Sequence, residues 1–484
     1  MNLKNIKYIY FLGVGGIGMS ALARFFNGTN ILVLGYDKTE TPLTQALQTE
    51  GIDITFDDQI KTLKKQLNNL EEQYAKYFGR KLSISKNNIL FVRTPAVPKE
   101  HKGFKWLVDN DYNIIKRSEL LGIISKNYYT IAVAGTHGKT TTSTMIAHIL
   151  KNSGVDVLAF LGGISTNYQT NYIANTGEYP FVVVEADEFD RSFLHLKPDV
   201  SVITATDADH LDIYGNHAEM EKTFIAFSKK TKKEGVLFAK KEIPILAQLR
   251  KPNSTYSIYI NADINSEKIK VVNGDYIFNY SDADVKWNNI ICGLPGSHNV
   301  ENATAAIAVC KYLGLTEKQI KKGLKTFAGV KRRFEYIIKE KGFVYIDDYA
   351  HHPEELKAAI NSAKMLYPNK KITGIFQPHL YSRTRDFAKG FAESLDLLDE
   401  VILLDIYPAR EKPMKGVTSK IIFDLMKNKN KRLVDKENLM KEIKKYQPEV
   451  LLTLGAGDID TFVGQLKKYY NRTQPSLRGG ARVV

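Results

Sequence analysis

Cysteine is nearly absent: the 484 residues hold only Cys292 and Cys310, too few for a disulfide scaffold and too far apart for a C-x-x-C metal pair. No apolar stretch reaches the ~20 residues a membrane-spanning helix needs. The one run resembling a leader, residues 9–19 after Lys4 and Lys7, is broken by Gly13, Gly15, Gly16 and Gly18. Glycine at that density weakens an inserted helix, and with so little cysteine a reducing cytosol is the expected compartment. No internal repeat and no low-complexity tract is visible. Acidic residues are in deficit, 53 against 68 Lys and Arg, a formal net charge of +15. Residues 410–445 alone hold 12 basic and 5 acidic side chains. No aromatic-interleaved RNA motif accompanies them, so the charge reads as a Lys-rich solvated surface that attracts anionic small molecules rather than nucleic acid.

Strands and helices alternate throughout, with three segments each opening on a short β-branched or aromatic run. The class is α/β, and the segments are residues 1–122, 123–329 and 330–484. The first opens with Tyr8-Ile9-Tyr10-Phe11-Leu12, the second with Tyr129-Thr130-Ile131-Ala132-Val133-Ala134, the third with Phe343-Val344-Tyr345-Ile346. Residues 60–77, with Leu63, Leu67 and Leu70 on one stripe, read as a surface helix. The tail from Asn471 reads as disordered.

Two glycine loops carry the chemistry. Gly135-Thr136-His137-Gly138-Lys139-Thr140 lies between a strand and a helix over residues 141–150. There, backbone N–H groups cradle phosphate, Lys139 neutralises it and Thr140 can meet Mg²⁺. Gly13-Val14-Gly15-Gly16-Ile17-Gly18 satisfies G-x-G-x-x-G, and Asp37 follows at the end of the next strand. That pattern suits NAD or another diphosphate, and beside a triphosphate loop a nucleotide sugar competes with NAD. Glu185-Ala186-Asp187-Glu188 follows a strand, where Mg²⁺ is often held, with Glu185 the first choice. His210, in Asp207-Ala208-Asp209-His210, is a second candidate ligand. Asn302 falls near the first turn of a helix over residues 303–313, with an amide suited to a base edge. Arg333 is placed to clamp a γ-phosphate, and Asp348 ends a strand facing the same cleft.

Taken in order, GVGGIGMS, AGTHGKTTT, EADEFDRSFLHLKPD, DADHLDIYG, GSHNVENA, RRFE, DDYAHHP, FQPHLYSRTRDF and LLDIYPARE resemble the Mur ligases of cytoplasmic peptidoglycan synthesis over nearly the whole chain. The resemblance implies a Rossmann-like UDP-sugar domain, a central phosphate-loop ATPase domain and a Rossmann-like amino-acid domain. It implies ATP and Mg²⁺ as cofactors and an acyl-phosphate route to an amide. The branch most similar adds L-alanine to the lactyl carboxylate of UDP-N-acetylmuramate; the rival branch adds a recycled tripeptide. By matching motifs, Gly135, Thr136, His137, Gly138, Lys139, Thr140, Thr141, Asn302, Arg333 and Asp348 would hold ATP. Thr140, Glu185 and His210 would serve Mg²⁺, and Lys139, Glu185, His210 and Arg333 would form the catalytic set. Gly13, Gly15, Gly16, Ile17, Gly18 and Asp37 would hold the UDP-sugar, and His351 and Arg383 the amino acid or acyl phosphate. The implied partners are small molecules, with no nucleic acid or membrane insertion, and the implied state is monomer or homodimer. Three departures stand out: Leu380 replaces an Arg of many relatives, Ile225, Ala226 and Phe227 occupy the region where other branches carry a carbamylated lysine, and the insert around residues 60–77 and Arg93-Thr94-Pro95-Ala96 are unusual for the first domain. An NAD-dependent oxidoreductase would leave the Lys139 loop and Glu185 idle.

Overall fold

The computed structural model describes residues 3–175, 181–207, 211–272, 275–340, 342–409, 411–445 and 447–473. Two compact units divide the chain: Met1–Glu267 with Tyr280–Trp287 and Asn302–Phe327, and Lys268–Asn279 with Asn288–Glu301 and Ala328–Val484.

The first unit begins with a five-stranded sheet in spatial order Asp53–Thr55, Leu32–Tyr36, Tyr8–Leu12, Ile89–Arg93, Ile114–Lys116. All its pairs are parallel. Strand order reverses beside Tyr8–Leu12, and such a reversal opens a crevice outside the carboxyl ends of the strands. The glycine loop leaves that strand at this point. Tyr8–Leu12 and Leu32–Tyr36 are buried along their whole length, as strands covered on both faces must be.

Residues 60–77 form two helices rather than one, Ile60–Asn68 and Leu70–Phe78, parting at Asn69. They cover one face of the sheet with Leu63, Leu70 and Tyr74 buried. The Tyr8 hydroxyl donates to Leu70 O at 2.8 Å, and the Tyr8 and Tyr74 rings lie 5.6 Å apart. Packing is therefore the work of this insert.

The helix Ile17–Asn27 covers the other face and also packs against the hairpin Val157–Ser165 and Thr170–Ala174. Phe25 meets Phe160 and Tyr172 edge-on, and buried Asn171 donates to Ile17 O at 2.5 Å and Ser20 Oγ at 2.8 Å. One apolar cluster accordingly joins Ile9, Phe11 and Leu22 to Phe160, Val182 and Val184.

The second sheet has ten strands, and its middle runs Val236–Lys240, Val200–Ile203, Thr130–Ala134, Phe181–Ala186, Val157–Ser165, all parallel. The helix after the phosphate loop spans Lys139–Asn152. The alanine-rich helix begins at Ser297 and runs to Tyr312, six residues earlier than the Ala303 start read from the sequence. Asn302 therefore sits in its second turn rather than its first. Phe227, in the stretch where other branches carry a modified lysine, is buried and stacks on Phe193 at 4.7 Å.

In the second unit a six-stranded sheet runs Glu335–Lys339, Val344–Asp348, Val450–Leu454, Ile372–Phe376, Glu400–Leu403, Lys431–Leu433. Its first strand alone pairs antiparallel. The last helix, Val463–Thr473, carries regular structure three residues into the segment read as disordered; residues 474–484 lie outside the described residues.

Leu70→Ala removes a side chain that is 2% exposed and should cost about 2–5 kcal/mol by transfer plus cavity. A urea titration followed by tryptophan fluorescence should show a lower midpoint, and an unchanged midpoint would count against the insert as a packing element.

Candidate functional site

The strand Thr130–Ala134 is fully buried, and the loop it feeds is bent by two glycines at positive φ, Gly135 at 143° and Gly138 at 81°. A Cβ at Gly135 would overlap Thr204 Oγ1, and one at Gly138 would stand 2.5 Å from Asn302 Oδ1. Glycine is therefore required twice, by backbone angle and by space. Thr204 Oγ1 donates to His137 O at 2.5 Å, and the Thr136 N–H donates to Ala205 O at 3.0 Å, tying the loop to the next strand. Thr136, Thr140 and Thr141 are buried around it. The helix starts at Lys139 without a side-chain cap, which leaves first-turn N–H groups for an anion.

Lys139 is largely but not fully withdrawn from solvent, and its Nζ donates to Gly135 O at 2.5 Å and Thr136 O at 3.4 Å and pairs with Glu188 Oε1 at 2.8 Å. Burial alone would lower its pKa, but the carboxylates of Glu188, Glu185 and Asp187 more than offset this and hold it above the usual lysine value. Glu185 is the penultimate residue of the strand Phe181–Ala186, paired in register with Val133, and accepts the Gly162 N–H at 3.1 Å. A Cβ at Gly162 would overlap that carboxylate. Asn302 joins this group, its Oδ1 accepting from Thr142 Oγ1 at 3.2 Å. The structure thus brings Lys139, Thr140, Glu185 and Asn302 to one place. The direct partner of Lys139 is Glu188, which belongs to the same four-residue run as Glu185 and to which sequence reasoning gave no role. His137 lies 3.8 Å from Asp207. His210 lies outside the described residues.

In the first glycine loop, Gly13 has φ 86°, and the N–H groups of Gly13 and Val14 donate to Tyr36 O at 2.8 and 3.0 Å. The Gly15 N–H donates to Asp37 Oδ2 at 2.8 Å, and the Thr39 N–H to Asp37 Oδ1 at 3.2 Å. Asp37 therefore buttresses the loop through bonds inside the protein. Gly16 caps the helix Ile17–Asn27 with no side-chain bond, so its first turn, like that at Lys139, has no side-chain acceptor for its N–H groups.

The remaining predicted residues gather in the second unit. Asp348 ends the strand Val344–Asp348, and its two oxygens accept the N–H groups of Phe334 at 2.6 Å and Ala350 at 2.7 Å. Burial pushes its carboxyl up to about 7 against the opposing pull of Arg333 and the two N–H groups. Arg333 stands 3.6 Å from Glu355 Oε1 and 5.3 Å from the Tyr349 ring. His351 bonds Tyr349 O at 2.9 Å and pairs with Glu355 at 3.3 Å. Arg383, buried, approaches His379 Nδ1 at 3.4 Å.

Sequence reading passed over three residues here. His379 stacks on Tyr407 at 5.8 Å and faces His351 at 6.1 Å. Desolvation lowers the pKa of half-buried His298 to about 4, helped by Arg333. Arg332 pairs with Asp347 at 3.1 Å and Asp460 at 3.3 Å and donates to Gly455 O at 2.6 Å. Leu380, where many relatives have Arg, is buried at φ 68°, a conformation held by its N–H bond to Tyr407 O at 2.9 Å.

The phosphate loop with its buried lysine and strand-end carboxylate, in a chain with a second glycine loop and a third α/β sheet, defines a nucleotide-dependent transferase or ligase. Residues 8–129 match the Mur ligase family catalytic domain, 133–310 the Mur ligase middle domain and 332–457 the Mur ligase glutamate ligase domain. The chain belongs to the Mur ligase family, whose members use ATP to form amide bonds. Within it, the chain is 46% identical over 471 residues to the UDP-N-acetylmuramate–L-alanine ligase of Flavobacterium johnsoniae, covering 97% of this chain and 99% of that one. The structure of the UDP-N-acetylmuramate-alanine ligase of Thermotoga maritima matches at TM-score 0.79 and 29% identity, covering 96% of this chain and all of the other. A murein peptide ligase of Psychrobacter arcticus shares the fold at TM-score 0.63 and 21% identity, with 99% and 100% covered.

Because the Asp348 carboxyl titrates near 7 in the folded protein and near 4 when unfolded, the native state binds more protons between those values. Its contribution to stability is complete below about pH 4 and is lost as pH rises through 7. Asp348→Asn should flatten the fall of the urea midpoint between pH 5 and 8, and an unaltered slope would exclude Asp348 as its source.

Proposed function

We propose that this protein joins L-alanine to the lactyl carboxylate of UDP-N-acetylmuramate at the expense of ATP, releasing ADP and phosphate, in cytoplasmic peptidoglycan precursor synthesis. The observation that carries the chemistry is Lys139, a buried ammonium at an uncapped helix start, ringed by Glu185, Asp187 and Glu188. The substrates rest on the near full-length identity to alanine-adding relatives.

In this reading the loop of residues 135–140, with Thr141, receives the ATP phosphates, and the motifs assign Asn302, Arg333 and Asp348 to ATP as well. First-turn N–H groups at Ile17 and Gly18 receive the UDP diphosphate at the end of the loop that Gly13, Gly15 and Gly16 shape, with Asp37 bracing that loop through the Gly15 N–H. A lactyl carboxylate oxygen attacks the γ-phosphorus, forming an acyl phosphate as ADP leaves. The alanine amine, positioned by His351 and Arg383, then attacks the acyl carbon, loses a proton, and phosphate leaves. Lys139 neutralises the phosphoryl oxygens during transfer, where positioning and electrostatics matter more than a covalent nucleophile.

Three carboxylates against one lysine, all oxygen donors, fit a hard divalent cation, and Thr140, Glu185 and His210 would hold Mg²⁺. Bound there, it supplies further neutralisation of the phosphate charge. Residues 1–122, 123–329 and 330–484 divide the UDP-sugar, ATP and amino-acid tasks. The protein acts as a monomer or homodimer on soluble substrates; among the described residues no helix is long and apolar enough to cross a membrane.

Phosphate release should require ATP, Mg²⁺, UDP-N-acetylmuramate and L-alanine together. Release only with the tripeptide L-Ala-γ-D-Glu-meso-diaminopimelate would reassign the chain to recycling. Lys139→Ala should keep its circular dichroism spectrum and lose at least about a thousandfold in turnover, because the cation acts on charge developed in the transition state. Near-normal turnover in that variant would sink the assignment.

A further inference from the structure

Beyond the strand Phe181–Ala186 the chain bends through Asp190 and Arg191, both at left-handed backbone angles, φ 51° and 55°. Two successive residues of this kind persist only where surrounding contacts fix them. Here Asp190 pairs with Lys116 at 3.0 Å, and Arg191 lies 5.1 Å from the Tyr214 ring. The Tyr214 hydroxyl donates to Glu188 O at 2.5 Å, and the Phe193 N–H to Asp187 O at 3.0 Å. The same bent segment supplies Glu188, the partner of Lys139.

The remaining fastening comes from the first glycine loop. Arg117, at the start of the helix Arg117–Ser125, donates from Nη2 to Asp187 Oδ2 at 3.1 Å. Its Nη1 lies against Gly18, where a Cβ would overlap it. One guanidinium thus touches the first turn of the helix Ile17–Asn27 with one nitrogen and the acidic segment with another. Neither Arg117 nor Asp187 has a role in the chemistry set out above beyond the charge of Asp187.

We propose that Arg117 is a positioning residue that couples occupancy of the loop at residues 13–18 to the setting of Lys139. The proposal rests on the reading of that loop as a diphosphate site. An anion there gains Nη1 as a donor while Nη2 stays on Asp187, since a guanidinium serves two acceptors at once in fixed geometry. Fixing Arg117 fixes Asp187; the segment that includes Glu188 follows, and Lys139 is held ready for the ATP phosphates. UDP-sugar therefore tightens ATP binding, and by linkage ATP tightens UDP-sugar binding by the same factor.

The test is calorimetric titration of the non-hydrolysable analogue adenylyl imidodiphosphate with Mg²⁺, without L-alanine, in the absence and presence of saturating UDP-N-acetylmuramate. Wild-type protein should bind the analogue at least about fivefold more tightly with the UDP-sugar present. Arg117→Met should bring that factor below about twofold while leaving the affinity without UDP-sugar within about twofold. Asp187→Asn should also lose the coupling, and the double variant should lose no more than Arg117→Met alone. Arg117→Met retaining the wild-type factor would overturn the proposal, as would equal weakening with and without UDP-sugar. UDP-sugar that binds the wild type without changing analogue affinity overturns the coupling alone; UDP-sugar that does not bind overturns the underlying reading of the loop as well.

Discussion

A lysine ammonium buried at the end of a parallel sheet is the constraint on which the first unit turns. Taking Lys139 out of water is unfavourable unless carboxylates replace the lost hydration. Glu188 meets it at 2.8 Å, with Glu185 and Asp187 adding to the field. These acids arrive together because Phe181–Ala186 lies in register beside Thr130–Ala134, so the chain leaves both strands at the same edge. With Lys139 also bonded to Gly135 O and Thr136 O, the ammonium is folded onto its own loop. Incoming phosphates would exchange those backbone carbonyls for oxygens of higher charge.

The two glycine loops solve one problem in two sheets. Each leaves a buried strand, turns at positive φ and opens an uncapped helix. Each also has a side chain pressed where a Cβ would stand, Asp37 and Thr44 at Gly15 and Asn302 at Gly138. Those neighbours leave no room for a Cβ and so keep glycine at both turns.

In the second unit, buried charge is handled by pairing and by protonation. Arg332 is matched by Asp347 and Asp460, whereas Asp348, buried beside Arg333, has its carboxyl pushed up to about 7. Glu355 links Arg333 and His351. A cluster so dense in His, Arg and Glu suits recognition of a small zwitterion or an acyl phosphate, both of which present charge of either sign at short range.

The sequence alone determined the α/β class, both glycine loops between strand and helix and the position of Glu185 near a strand end, because glycine spacing and alternating strands and helices are local properties of the chain. Family membership was equally legible, since nine motifs in order are a property of the string. What only the tertiary structure decided is which of several nearby groups touch. Glu188 rather than Glu185 pairs with Lys139, Asp37 braces its own loop, and Asn302, 163 residues beyond Lys139 in the chain, comes to the phosphate loop from the second turn of its helix. Arg117 and Asp187 are 70 residues apart, and Arg117 lies in none of the motifs. Spacing along a chain specifies backbone shape over a few residues, whereas long side-chain contacts depend on how helices seat against sheets, which is settled by packing.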